Sequence, residues 1–145
     1  MHKIGMAAVA VFAWAAQPIS AMADDWKVVS LVDLTIGTKK YMNKPIEVKN
    51  LMCYYADVDD YRCTGQGAGA VFFKSVENDD ARSFLEDNCD TMAKAFSSKC
   101  RVSLRFEFDA DNVNQDIISG YQQRTIINPD KVTVVLPAAS NRRRR

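Results

Sequence analysis

Cys53, Cys63, Cys89 and Cys100 are the residues of this 145-residue chain whose type and spacing imply the most definite chemistry. An even set of cysteines in a small domain reads as a disulfide framework, here two bonds. Three pairings are open, and the local ones, Cys53–Cys63 and Cys89–Cys100, are favoured. Each closes a loop of about ten residues, worth roughly 2–3 kcal/mol through the entropy of the unfolded chain. The cysteines form no C-x-x-C, which argues against thioredoxin-type redox work. Histidine supplies the sharpest exclusion. The only one is His2. Beyond the first residues the chain therefore offers no Ser-His-Asp or Cys-His triad, no imidazole acid–base group and no histidine-ligated zinc.

Other motifs are weaker. Gly65-x-Gly67-x-Gly69 has the look of a phosphate loop. It leads into Val71-Phe72-Phe73 rather than into a capped helix, so it reads as a flexible loop. No Walker or G-x-S-x-G motif is present. Two oxygen-rich segments could hold a hard cation: Asp57, Asp59 and Asp60, and then Asp109, Asp111, Asn112, Asn114 and Asp116. Neither has EF-hand spacing, and both read as solvated turns. No metal, no cofactor and no catalytic residue is expected. Tyr54, Tyr55, Tyr61, Phe72 and Phe73 cluster along two adjacent segments, with Lys49, Arg62 and Lys74 close by in sequence. Aromatic and cationic side chains together can stack on, and pair with, planar or anionic ligands. The candidate ligand-binding set is Tyr54, Tyr55, Tyr61, Arg62, Phe73 and Lys74.

These residues need elements to position them. Trp26 to Leu34 reads as the opening strand, and Thr35 to Asn43 as a loop or short helical turn. From Pro45 the chain alternates clearly, with Ile46 and Val48 on one face and Glu47 and Lys49 on the other. At Asn50 the phase slips by one residue, and Leu51, Cys53 and Tyr55 continue the apolar face. That slip predicts a β-bulge at a residue tolerant of left-handed backbone. Asp57 to Asp60 is a turn. Counting outward from Val58 places Cys53 opposite Cys63, where directly opposed residues sit close enough to bridge. Asn78 to Phe96 reads as one helix, capped by Asn78, with Asp79 and Asp80 in its first turn. Its apolar stripe is Ala81, Phe84, Leu85, Cys89, Met92 and Phe96. Arg101 to Phe108 is a cleanly alternating strand. Arg124 to Ile127 and Lys131 to Leu136 supply the last strand or strands.

The predicted fold class is therefore mainly β with one helix, in the order β-β-β-α-β-β. A five-stranded Greek-key barrel with a helix between its third and fourth strands is an OB-fold-like β-barrel. The run Tyr41-Met42-Asn43-Lys44-Pro45-Ile46-Glu47-Val48, the later amphipathic helix ending near a cysteine, and Cys100-Arg101-Val102-Ser103-Leu104 resemble the small exported bacterial OB-fold proteins. The resemblance spans about residues 28–135. It implies a fold rather than an activity. Asn43 and Asn50 stand where that family's pattern has glycines. On such a barrel the second- and third-strand face is the usual ligand platform.

The ends of the chain read differently from its middle. Met1 to Lys3 is a short basic start, Ile4 to Ala16 is apolar, and Ala21-Met22-Ala23 is an A-x-A site. Together they form the pattern of a secretion signal over residues 1–23, cleaved after Ala23. The apolar run is shorter than the roughly 20 residues of a membrane span. Residues 24–137 form the barrel domain, and 138–145 a basic tail. The expected location is periplasmic or secreted. Without Lys3 and the terminal Arg142, Arg143, Arg144 and Arg145, the 19 basic residues fall to 14 against 18 acidic ones. A mildly acidic body argues against nucleic acid as the default partner. The four arginines could touch anionic lipid. The expected function is a non-enzymatic binding module for a protein or envelope ligand. Single-stranded nucleic-acid or oligosaccharide binding, and inhibition of an extracytoplasmic hydrolase, are the alternatives.

Overall fold

The computed structural model describes residues 25–67, 69–118 and 122–138, and the side chains of all of these except 116–118 and 122. The expected signal segment, and the arginine tail from residue 139 onward, lie outside the described residues. Among the described residues, eight strands form one sheet. They are β1 (Lys27–Val29), β2 (Ile46–Asp57), β3 (Asp60–Thr64), β4 (Ala70–Phe73), β5 (Arg101–Phe106), β6 (Val113–Ile118), β7 (Gln122–Ile127) and β8 (Thr133–Val135). Their order is β6-β7-β4-β3-β2-β5-β8, with β1 added in parallel to the start of β2. The sheet is not closed by a continuous ladder. One stretch of chain nevertheless reaches both sides of the sheet: β7 pairs with β4 in parallel, and β8, a short turn later, pairs antiparallel with β5. Between them Val132 bridges to Val76.

β2 carries the fold, because it pairs with β1, β3 and β5. The phase slip read from the sequence is a real bulge. Its pairing with β5 shifts between Val48 and Leu51, and Asn50 takes a left-handed φ of 60°. The extra residue keeps Ile46, Val48, Leu51 and Cys53 all buried, although no single alternation could do so. On the opposite face Glu47 is buried and accepts a hydrogen bond from Arg105 Nε at 3.0 Å. Asn43 is left-handed as well, at φ 58°, and its N–H donates to the Phe108 carbonyl at 2.8 Å.

Both disulfides have the expected connectivity. Cys53 and Cys63 are directly opposed across β2 and β3, with Cα atoms 4.1 Å apart. Cys89 and Cys100 bridge a helix end to the 3₁₀ turn Ser98–Cys100 that leads into β5, with Cα atoms 5.9 Å apart.

Two expectations about helices need correction. The described residues hold four α-helical segments rather than one. The segment read as the continuation of the first strand is α1 (Leu31–Ile36), followed by α2 (Thr38–Tyr41). Ser30 caps α1 by accepting from the Asp33 N–H, and Leu31, Leu34 and Tyr41 turn inward. The helix expected over residues 78–96 is two pieces, α3 (Asp79–Asn88) and α4 (Met92–Ala95). Cys89 ends α3, and Thr91 starts α4 by accepting from the Lys94 N–H. The predicted apolar stripe breaks with the helix: Ala81, Leu85 and Cys89 are buried, whereas Met92 and Phe96 are exposed. Asn78 occupies the N-cap position without capping. Its side-chain amide pairs instead with Val134, donating to the carbonyl at 2.7 Å and accepting from the N–H at 3.0 Å. That pairing ties α3 to β8.

The glycine loop is a packing surface for α1 rather than a flexible connector. A Cβ on Gly69 would fall 2.1 Å from Thr35 Cγ2, and one on Gly65 would fall 3.1 Å from Leu51 Cδ2. Thr35 has little room to yield, since its hydroxyl donates to the Val32 carbonyl at 2.9 Å and β-branched χ1 angles are stiff. Gly67 has a φ of 93°, which a side chain would strain.

Candidate ligand-binding face

The disulfide sets the phase of the aromatic cluster. Cys53 and Cys63 point inward, so by alternation their neighbours Tyr54 and Arg62 point outward. The ladder extends both rows into β4. Tyr55, Tyr61 and Phe73 are matched across the three strands on the inner side, and Tyr54, Arg62 and Phe72 on the outer side. Inside, the Tyr61 and Phe73 rings stack with centroids 5.3 Å apart, and Tyr55 meets Tyr61 at 5.2 Å. Tyr61 and Phe73 are 2% and 3% exposed. These two members of the candidate set are core residues, and the alternation of the strands is the reason.

Outside, Phe72 is half-buried between two guanidinium groups. Arg62 and Arg124 each stand 5.4 Å from its ring centroid. Arg124 comes from β7, the parallel neighbour of β4. Asp60 holds Arg62 in a two-pronged contact, at 3.1 Å to Nε and 2.9 Å to Nη2. Such a fork fixes the guanidinium plane rather than its charge alone. A cleft of about 540 Å³ opens beside this row, lined by Asp60, Phe72, Lys74, Asn128 and Asp130 among others. Its far wall is held by amides. Asn128 donates to the Phe72 carbonyl at 3.3 Å and accepts from Asn114 at 2.6 Å, while Asn112 donates to the Asn128 carbonyl at 2.8 Å.

A second cavity, of about 490 Å³, lies between the β2–β3 turn and α3. Tyr55, Tyr61, Lys74, Arg82 and Glu86 line it. The Tyr61 hydroxyl donates to Glu86 Oε1 at 2.7 Å. Burial, and then the Glu86 carboxylate, push the Tyr61 phenol well above its ordinary value of 10.0. Tyr55 is also raised, by burial first and then by Glu86, Asp57 and Asp59. A raised phenol pKa means that folding favours the protonated ring. The stabilisation is full below pH 10.0 and is lost as pH rises through the higher folded value. Spectrophotometric titration should therefore find Tyr55 and Tyr61 ionising above pH 10.0, and Tyr61→Phe should remove one of these late transitions. The same substitution removes a hydrogen bond to a carboxylate and should lower stability by about 1–2 kcal/mol in a urea melt.

The predicted set is thus divided. Tyr54, Arg62 and Lys74 reach the outer surface or the cleft, Tyr55 sits at the mouth of the second cavity, and Tyr61 and Phe73 face the core. Phe72 and Arg124 complete the outer row and were not in the set. Phe72 could have been found by carrying the alternation from Cys63 through the glycine loop. Arg124 could not, because its place beside Phe72 is set by a parallel pairing between strands far apart in the chain.

Two acids of these segments, Asp57 and Asp109, serve the backbone. Asp57 accepts from the Val58 N–H, and Asp109 caps the 3₁₀ turn Ala110–Asn112. Among the described residues no group of three histidine, cysteine or carboxylate side chains converges as a metal site would require. Among them, too, no helix is long and apolar enough to cross a membrane. Comparison with known protein families, with curated proteins and with solved structures finds no match to this chain.

Proposed function

We propose that this chain is an exported, non-catalytic binding module on an OB-like barrel, and that its ligand face is the outer row Tyr54, Arg62, Phe72 and Arg124. The single observation that carries the reading is Phe72 held between two guanidinium groups on a rigid sheet, beside a cleft. That arrangement suits a ligand with negative charge and a ring face that can lie on an aromatic side chain, because a guanidinium plane both stacks and forms paired hydrogen bonds. An acidic oligosaccharide of the cell envelope fits this chemistry and the expected location.

The barrel part of the reading is supported by strand order. β2, β3 and β4 form an antiparallel meander, α3 follows, and residues 122–135 return to meet β4 in parallel and β5 antiparallel. The left-handed Asn43 and Asn50 occupy the positions where the resembling family carries glycines. The export part is supported by the signal-like start of the chain and by two disulfides with no free cysteine among the described residues.

The test is retention of the disulfide-bonded protein on immobilised acidic and neutral oligosaccharides, with single-stranded DNA in parallel. Tyr54→Ala/Arg62→Ala/Phe72→Ala should weaken retention on the acidic sugar at least about tenfold, since each stacking contact is worth roughly 1–3 kcal/mol. Unchanged retention of every ligand by the triple variant would remove the site. Preference for DNA would replace the sugar with the nucleic-acid reading.

A second reading, inhibition of a hydrolase, has its own support. Val58 stands 73% exposed at the tip of the hairpin that Cys53–Cys63 braces. Enzyme inhibition abolished by Val58→Asp, but untouched by the triple variant, would favour it.

A further inference from the structure

We infer that the face built by α1, α2 and the start of β6 docks on a membrane surface of anionic lipid. This rests on observations separate from the ligand face. Six large apolar side chains are exposed among the described residues, and three of them fall between residues 28 and 36. Val32 and Ile36 lie one turn apart on α1, on the same side. Ile36, at 82% exposed, is the barest of the six.

Ile36 stands on a groove of about 390 Å³. Thr38, Lys39 and Lys40 line one wall, and Val113 and Gln115 of β6 line the other. No carboxylate is among the lining residues, although the body of the chain carries more acids than bases. Asp33 is the one acid of α1 and is not part of the lining. Lys27 and Lys40 also flank the Tyr41 ring, each ammonium 5.5 Å from its centroid. Lys39 and Lys40 therefore share the groove with one protruding apolar side chain, and Lys27 meets Lys40 across the neighbouring Tyr41 ring.

The combination selects the partner. A soluble anion would use the lysines and leave Ile36 in water. An anionic bilayer uses both, with ammonium groups among the headgroups and the apolar side chain at the acyl boundary.

Co-sedimentation with lipid vesicles tests this, using the disulfide-bonded protein beginning at Asp24. It should pellet with phosphatidylcholine vesicles containing phosphatidylglycerol and stay in solution with phosphatidylcholine alone. Lys39→Ala/Lys40→Ala should weaken binding by about tenfold, each lysine near an anionic surface contributing severalfold. Ile36→Asp should bring it to background without moving the thermal midpoint, and Ile36→Leu should restore it. Removing Arg142 to Arg145 should weaken binding without abolishing it. Three results would overturn the inference: no pelleting with either vesicle, full binding by the Ile36→Asp protein, or complete loss on removing the arginines alone. Equal retention of Ile36→Asp and unsubstituted protein on soluble dextran sulfate, with no vesicle binding, would make the groove a polyanion site instead.

Discussion

Cys89→Ala/Cys100→Ala should cost about 3 kcal/mol of stability, the chain-entropy value for a loop of this size. For a domain this small that is a drop of more than about 10 °C in Tm. The native side should add to the loss. Between the two cysteines lie only α4, four residues long, and a 3₁₀ turn of three, neither able to persist without tertiary support. The remaining ties in this region include the fully buried Ala95 and the hydrogen bond from the Tyr55 N–H to the Cys89 carbonyl, at 2.8 Å. Hydrogen exchange should therefore speed up across residues 89–100 before the rest of the molecule. Cys53→Ala/Cys63→Ala should behave differently. Met52–Thr64 and Tyr54–Arg62 hold the ladder on both sides of that bond. Its removal should lower Tm with little change in exchange within β2 and β3. Equal loosening of both regions would contradict this division.

Leu34→Ala should be comparably damaging, by about 2–5 kcal/mol in urea denaturation. Leu34 is fully buried, on a helix of only six residues. That helix rests on Leu31 and Leu34, and it meets the glycine loop through Leu31, Val32 and Thr35, the last filling the space a Gly69 side chain would need. Loss of the leucine leaves a cavity that this short element has few ways to fill. Val32→Ala, on the same helix but 37% exposed, should change stability by less than about 1 kcal/mol. A Val32 cost equal to that of Leu34 would mean that α1 is not anchored as described.

Much of the framework is legible in the sequence because it is local. The Ile46–Tyr55 phase slip, the turn at Val58 and the Cys53–Cys63 pair all follow from counting along one strand and back. α1 escapes that reading although its signal is present: Ser30 with Asp33 three residues on is a cap pattern just before an apolar pair. The run Val28-Val29 favours a longer strand and masks it. The break in the expected helix is hidden because Met92 and Phe96 keep helical spacing with Cys89. Spacing alone cannot tell a stripe that meets the core from one that faces water. The candidate site is half legible for a related reason. Composition brings the aromatics together, but only register separates Tyr61 and Phe73 inside from Tyr54, Arg62 and Phe72 outside. Arg124 depends on the parallel β4–β7 pairing, which no local pattern announces.

The return of residues 122–135 to both β4 and β5 sets the order in which the molecule can become complete. During synthesis the amino-terminal part emerges first. The β2–β3 hairpin can form then, and so can its sulfur bridge. Val71 and Leu104 must wait for strands that arrive near the end of the chain. Until that moment part of the apolar interior has no lid of its own, and a chain cut short before residue 122 would be a sticky, unfinished sheet rather than a smaller folded protein.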